Sequence, residues 1–214
     1  ETTGGVRIIA QTDTGRVIYR VIECTDPSLS KSECHAREQR LLDRRIRDKW
    51  VDAAMKRYGV APTSEEEAII QRQLVAEAPH FAEAGAHFHA LAVAALEIRR
   101  GKDRAELLPE LAKQGITTTE LDWEVAHLIT VAEAERAAAI DYVADNERSS
   151  RAYHTRQFAL QHLRTIVMKR SVSERKSFEA AEEELWSEMA EAIHTRIIDP
   201  AFQMPDKKGI LVNQ

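Results

Sequence analysis

The sequence predicts a mainly α-helical protein, a multi-helix domain that opens with a short N-terminal β-hairpin. Three observations support this fold class. The 214 residues include only 8 Gly and 6 Pro and are rich in Ala, Glu, Arg and Leu, which favour helices. Beyond residue 30, apolar residues recur at helical spacing behind capping pairs. Before residue 24, β-branched residues flank a turn.

The N-terminal segment has the composition of two strands. The runs "VRIIA" and "RVIYRVIE" are rich in β-branched residues and lie on either side of Asp13 and Gly15, which favour a turn. We therefore predict a β-hairpin over residues 6–23. Because an isolated hairpin is only marginally stable in water, we expect the rest of the fold to cover it.

The next segment predicts two helices joined by a sharp corner. Ser30 and Glu33 can form a capping box ahead of a long helix that ends at Tyr58, just before a glycine. Ser64 and Glu67 can form a second box, from which a helix is expected to run to about residue 78.

The remainder of the chain predicts five more helices and a last strand. Pro79 suits the first turn of a helix, and Thr117 with Glu120 can form a further capping box. The expected helices span residues 79–100, 103–115, 117–143, 148–170 and 171–198. The tail is expected to be irregular, with a short strand over 210–212.

Together these elements predict one mostly helical domain over residues 1–214. Its expected parts are the hairpin over 6–23, a helical core over 31–146, a C-terminal helical hairpin over 147–199 and a tail over 200–214. Charge supports the helical hairpin, because residues 148–170 carry six Arg and Lys and no acid, whereas residues 177–199 carry seven acids and one Arg. Opposite charges on neighbouring helices favour antiparallel packing.

Charge and motifs narrow the classes of function. The net charge of −5 gives no general reason to expect nucleic acid as a partner. The longest candidate for a membrane span, residues 90–98, is shorter than the roughly 20 residues that a span requires. The sequence has no Gly-rich phosphate loop, nucleophile elbow or Cys-x-x-Cys pair. We predict no nucleic-acid partner, no transmembrane segment, no cofactor and no catalytic residue.

The two cysteines give information about the cellular compartment of the protein. Cys24 and Cys34 are the only cysteines, and the residues between them are typical of loops and caps. In an oxidising compartment a disulfide between them would contribute about 2–4 kcal/mol. The alternative is two unpaired thiols in a cytosolic protein. Because the chain also begins at Glu1 without Met, we expect an exported protein from which a signal peptide, an anchor or a tag has been removed.

Two Glu-x-x-His steps suggest a metal-dependent enzyme as an alternative. Glu124 with His127, and Glu191 with His194, would each place a carboxylate and an imidazole on one helix face. A di-iron bundle also needs an inward Glu from each of two other helices, and residues 148–170 contain no acid. We therefore predict no metal site, and the enzyme remains an alternative.

Two stretches carry a resemblance to a known family. Residues 41–67, "LLDRRIRDKWVDAAMKRYGVAPTSEEE", begin a segment that extends to residue 74. This segment resembles the N-terminal domain of SurA-type periplasmic chaperones and of their PpiD and PrsA relatives. Residues 107–136, "LLPELAKQGITTTELDWEVAHLITVAEAER", are similar to the later part of that domain. The parvulin isomerase domain that usually follows is absent from this sequence.

The resemblance implies a SurA-like helical core over 31–146 and non-covalent binding of polypeptide segments in the periplasm, without prolyl isomerisation. The expected partners are unfolded or extended clients. A structural or adaptor subunit that docks one protein of the cell envelope is the first alternative. The candidate groove residues are Trp50, Met55, Tyr58, Phe81, Phe88, Trp123, Phe158 and Met168.

Overall fold

The computed structural model describes residues 6–13, 17–22 and 29–211. Within these ranges the chain forms seven α-helices and three short strands, so the predicted mainly α fold with a short N-terminal hairpin is confirmed. The elements are β1 (Val6–Thr12), β2 (Val17–Ile22), α1 (Lys31–Tyr58), α2 (Ser64–Arg99), α3 (Arg104–Lys113), α4 (Thr118–His127), α5 (Val131–Ala138), α6 (Tyr142–Glu174), α7 (Phe178–Ile193) and β3 (Thr195–Ile197).

The chain divides into two compact units, whose boundaries fall within β1, α2 and α6. Unit 1 comprises Glu1–Val6 and Ala68–Ala152, and unit 2 comprises Arg7–Glu67 and Tyr153–Gln214. Helix α1 thus belongs to the same unit as the C-terminal helices. The single domain over 1–214 and its sequence-based subdivision stay a prediction.

A three-stranded sheet lies in unit 2, in the order β2-β1-β3. Strand β3 pairs antiparallel with β1, so that Ala10 lies opposite Ile197. The strand expected over 210–212 is not formed in its described part, because Ile210 and Leu211 lie in a turn, and Val212 lies outside the described residues. The helix expected to reach residue 198 instead ends at Ile193, because the next residue adopts a left-handed conformation.

Large side chains fill the core of unit 2. Trp50 of α1 and Trp186 of α7 have no exposed surface and share one cluster with residues of the sheet, α6 and the tail. The Glu182 carboxylate is also fully buried and accepts hydrogen bonds from the backbone N–H groups of Gly209 at 3.2 Å and Leu211 at 2.7 Å. This carboxylate therefore fixes the tail to α7.

Alanine and leucine make up most of the two cores of unit 1. One cluster contains Ala92, Ala95, Leu96, Leu128, Ala134 and Ala137. A second contains Leu91, Ala94, Leu111, Ile116 and Leu121. Gly85 of α2 permits a particularly close approach, because a Cβ there would lie 2.7 Å from Cγ2 of Val143 in α6. Unit 1 therefore depends on helices that pack at short range.

The two helices predicted over 65–78 and 79–100 form one continuous helix, α2, with Pro79 inside it. No glycine and no capping Ser, Thr, Asp or Asn lies between residues 65 and 80 to end one helix and start another. The capping box at its start joins Thr63 and Glu66, one residue earlier than predicted.

The helix predicted over 117–143 is wrong in length, because it comprises α4, α5 and the start of α6. The break follows a capping box that the sequence analysis missed, in which Thr130 and Glu133 exchange backbone-to-side-chain hydrogen bonds. The helix predicted over 171–198 begins too early, since Ser171 lies within α6 and Ser177 caps α7.

Candidate binding surface

The eight predicted groove residues differ widely in exposure. Trp50 is fully buried, and Met55, Tyr58, Phe81 and Phe158 are partly buried. The exposed members are Phe88 (47%), Trp123 (51%) and Met168 (54%). In this conformation Trp50 stabilises a core and offers no surface to a ligand, because its stripe of α1 faces α7 and the sheet.

The eight residues also belong to different units. Phe81, Phe88 and Trp123 lie in unit 1, and the other five lie in unit 2. Within unit 2, the Tyr58 hydroxyl donates a hydrogen bond to Glu188 at 3.2 Å. Burial, and then the neighbouring Glu188 carboxylate, raise the pKa of Tyr58. The polar end of this ring is therefore engaged within its own unit.

We define the aromatic surface as four residues that extend from three helices of unit 1: Phe88, Trp123, Tyr142 and Val143. The rings of Phe88 and Tyr142 lie 6.0 Å apart at 33°. Trp123 stacks on His127, with ring centroids 5.4 Å apart and planes within 7°. Val143 is 42% exposed. Helices α2, α4 and α6 thus each contribute an apolar group.

Polar contacts at both ends hold α4 in place. At its start, the Thr117 backbone N–H donates to Glu120 at 2.7 Å, and Nε2 of His87 contacts the same carboxylate at 3.2 Å. The hydrogen bond from Thr117 is the main reason that the pKa of Glu120 is lowered. At its end, Arg99 donates to the carbonyls of Val125 and Leu128. Trp123 is therefore presented from an anchored helix.

Glu124 is a partly buried carboxylate beside the aromatic surface. Burial raises its pKa above the ordinary carboxyl value. Burial and then the Glu124 carboxylate raise the pKa of Tyr142, which places the two groups near each other. In the described part of the chain, the Glu124 side chain has neither a hydrogen-bond partner nor an ion-pair partner. It is available to a cationic group.

The sequence analysis named Phe88 and Trp123 but missed Tyr142 and Val143. A single helix over 117–143 placed both residues at its end, where neither could be assigned to a face. The Thr130–Glu133 capping pair was the available signal, since it separates α5 and so allows a new helix to start at Tyr142.

The residues of the enzyme alternative occupy helix ends. His127 is the last residue of α4 and stacks on Trp123, whereas His194 caps α7 and lies 3.6 Å from Asp13. The ranges that the structure describes contain no group of three or more His, Cys, Asp or Glu able to hold a metal.

The predicted disulfide lies partly outside the described residues. Cys34 is buried in the first turn of α1, whereas Cys24 falls in the undescribed segment before it. The pairing of the two cysteines therefore stays a prediction.

Comparisons with protein-family models, with curated protein sequences and with solved structures found no match to this chain. Across the described ranges, none of the helices is both long enough and apolar enough to cross a membrane.

Proposed function

We propose that this protein binds polypeptide segments non-covalently, as a periplasmic chaperone-like protein, through the aromatic surface of unit 1. The observation that carries the proposal is the exposure of Phe88 and Trp123, each about half accessible although it extends from a packed helix. The resemblance of residues 41–74 and 107–136 to SurA-type domains supports the same function.

The energetics favour apolar segments as ligands. Each Å² of apolar surface removed from water contributes about 25 cal/mol. Phe and Trp bury large areas with few rotatable bonds, and the Trp indole N–H can also donate a hydrogen bond to a client backbone. Because α4 is anchored at both ends, little conformational entropy is lost on binding. These properties suit varied apolar segments better than one chemical group.

Tryptophan fluorescence offers a direct test, since Trp50 and Trp186 are fully buried and Trp123 is half exposed. Titration with a reduced and alkylated unfolded protein should shift the Trp123 emission to shorter wavelength. Phe88→Ala, which keeps this reporter, should weaken binding about tenfold, equivalent to about 1.4 kcal/mol. Met168→Ala, an exposed apolar residue of unit 2, is the matched control and should bind normally.

Suppression of aggregation tests the chaperone activity itself. Wild type and Met168→Ala should protect a denatured protein equally, whereas the double variant Phe88→Ala/Trp123→Ala should protect poorly. Loss of protection in the Met168→Ala control as well would contradict the assignment of the binding surface to unit 1. Protection by none of the proteins, together with capture of one stoichiometric partner, would instead favour the adaptor subunit.

The proposed export has its own test. Thiol alkylation under denaturing conditions, applied to protein taken directly from cells, should label Cys24 and Cys34 only after reduction. Labelling of both cysteines without reduction would contradict an oxidising compartment.

A further inference from the structure

Unit 2 contains a cavity of about 490 Å³ that is separate from the aromatic surface. Residues of α1, of α6 and of the tail line it. This volume lies within the usual range for small-molecule sites. The cavity contains none of the predicted groove residues.

Arginines of α1 dominate one wall of the cavity. Arg40, Arg44 and Arg47 recur at spacings of four and three residues, so they share one helix face. In the described ranges none of the three forms an ion pair with a carboxylate. Like charges at this spacing repel one another, so an anion in the cavity would relieve the repulsion.

Arg47 has a buried hydrogen-bond donor that lacks an acceptor among the described residues. Its Nη2 donates to the backbone carbonyl of Asp206 at 3.3 Å. Its Nε is buried and, among the described residues, has no hydrogen-bond partner. A buried N–H without an acceptor is costly, so this atom favours a ligand oxygen.

The acids of the cavity are already engaged. Asp43 accepts a hydrogen bond from Gln39 at 2.7 Å. Asp48 lies 3.3 Å from Arg156, whose Nε and Nη2 also donate to Asp52. Asp48 and Asp52 thus hold Arg156 in place. The lining as a whole has five cationic side chains against two carboxylates, Asp43 and Asp48, so positive charge remains in excess.

The tail and α6 complete the lining. Lys208 adds a fifth cation, which lies 3.5 Å from Glu183. Tyr153 is 45% exposed, and the guanidinium of Arg44 lies 5.7 Å from the centre of its ring. The ring limits the directions in which Arg44 can extend and keeps its charge at the cavity.

We propose that this cavity binds a small molecule through an oxyanion, a phosphate or a carboxylate group. The ligand accepts hydrogen bonds from Arg44 and Arg47, including the buried Nε of Arg47. Arginine is suited to both anions, because its planar donors match two oxygens at once. The site does not depend on the proposed polypeptide binding, which uses unit 1.

Isothermal titration at low salt with inorganic phosphate, pyrophosphate and citrate tests the proposal. At least one of these anions should bind saturably with a stoichiometry of one, and the preferred anion distinguishes phosphate from carboxylate recognition. It should also raise the melting temperature in a concentration-dependent way.

Variants of equal charge locate the site. Arg44→Gln and Arg47→Gln should each weaken binding about tenfold or more, whereas Arg72→Gln, an exposed arginine of α2 in unit 1, should bind like wild type. An equal loss in Arg72→Gln would overturn the proposal, since it would indicate a general charge effect. No saturable binding of any of the three anions to folded wild-type protein would overturn it as well.

Discussion

The two units use their apolar side chains in opposite ways. Unit 2 buries Trp50 and Trp186 completely, together with large aliphatic residues. Unit 1 forms its cores largely from Ala and Leu and leaves Phe88 and Trp123 about half exposed. The difference indicates that the two tryptophans of unit 2 stabilise its fold, whereas Phe88 and Trp123 of unit 1 are accessible to solvent.

The first prediction contrasts two tryptophans. Trp50→Ala should lower the free energy of unfolding by about 3–5 kcal/mol, because it removes a fully buried side chain and leaves a cavity. Trp123→Ala should change it by less than about 0.5 kcal/mol, as is usual at exposed positions. Urea denaturation followed by circular dichroism measures both values. Similar losses in the two variants would remove the distinction between the units.

A second contrast concerns Trp50 itself, whose Nε1 is buried without a hydrogen-bond partner among the described residues. Trp50→Phe keeps most of the ring and removes this unsatisfied donor. It should therefore cost markedly less stability than Trp50→Ala in the same denaturation experiment. Equal costs would contradict this prediction, since they would show that the retained ring gives no stability at this position.

Removal of the buried carboxylate of unit 2 should have the next largest effect. Glu182→Ala leaves the backbone N–H groups of Gly209 and Leu211 without their acceptor, at a cost of about 3 kcal/mol. Amide exchange at these two positions should accelerate more than exchange in α1. Glu179→Ala, at an exposed position of the same helix, is the control and should leave the exchange at both amides unchanged.

Unit 1 should instead be sensitive to added volume. Gly85→Ala would place a Cβ 2.7 Å from Cγ2 and 3.1 Å from the backbone nitrogen of Val143, so a loss of about 1–3 kcal/mol is expected. The higher helix propensity of Ala opposes this loss by about 1 kcal/mol. Val143→Ala in the same chain should restore part of the stability. A gain on Gly85→Ala alone would contradict the close approach.

Substitution of Glu124 should have the smallest effect on stability, and this effect should depend on pH. Burial raises the pKa of this carboxyl in the folded state above its value of about 4.5 in the unfolded state. The contribution of the carboxyl to stability is therefore full below about pH 4.5, and it is lost as the pH rises through the folded-state pKa. The Glu124→Gln variant should thus have a higher melting temperature than wild type at pH 7, and the difference in melting temperature should be smaller at pH 4. A difference in melting temperature that does not change with pH would exclude titration of Glu124 as its cause.

Local sequence signals determined the helices where caps were unambiguous. Helix α1 has the predicted bounds, because the Ser30–Glu33 box starts it and Gly59, with φ of 63°, ends it. Pro79 does not start a new helix, because α2 accommodates it in its interior. Thr130 does mark a helix start, since its side chain caps α5.

The candidate surface was only partly predictable. Helical periodicity shows which residues share a face, but it does not show whether that face meets another element or solvent. Trp50 shares its stripe with Leu42 and Ile46 and lies in a core, whereas Trp123 has a less apolar surrounding sequence and is exposed. The cavity of unit 2 could not be anticipated, since it brings Arg44 together with Lys208, far apart in the chain.

The attachment of the tail to Glu182 also has a consequence for the cavity of unit 2. Gly209, held by this carboxylate, and Ile210 both line that cavity. A bound anion would therefore rest against the same segment that the carboxylate immobilises, and the two equilibria are thermodynamically linked. Occupancy of the cavity should shift the tail toward its closed position, and the factor by which the anion favours the closed tail equals the factor by which the closed tail tightens binding of the anion.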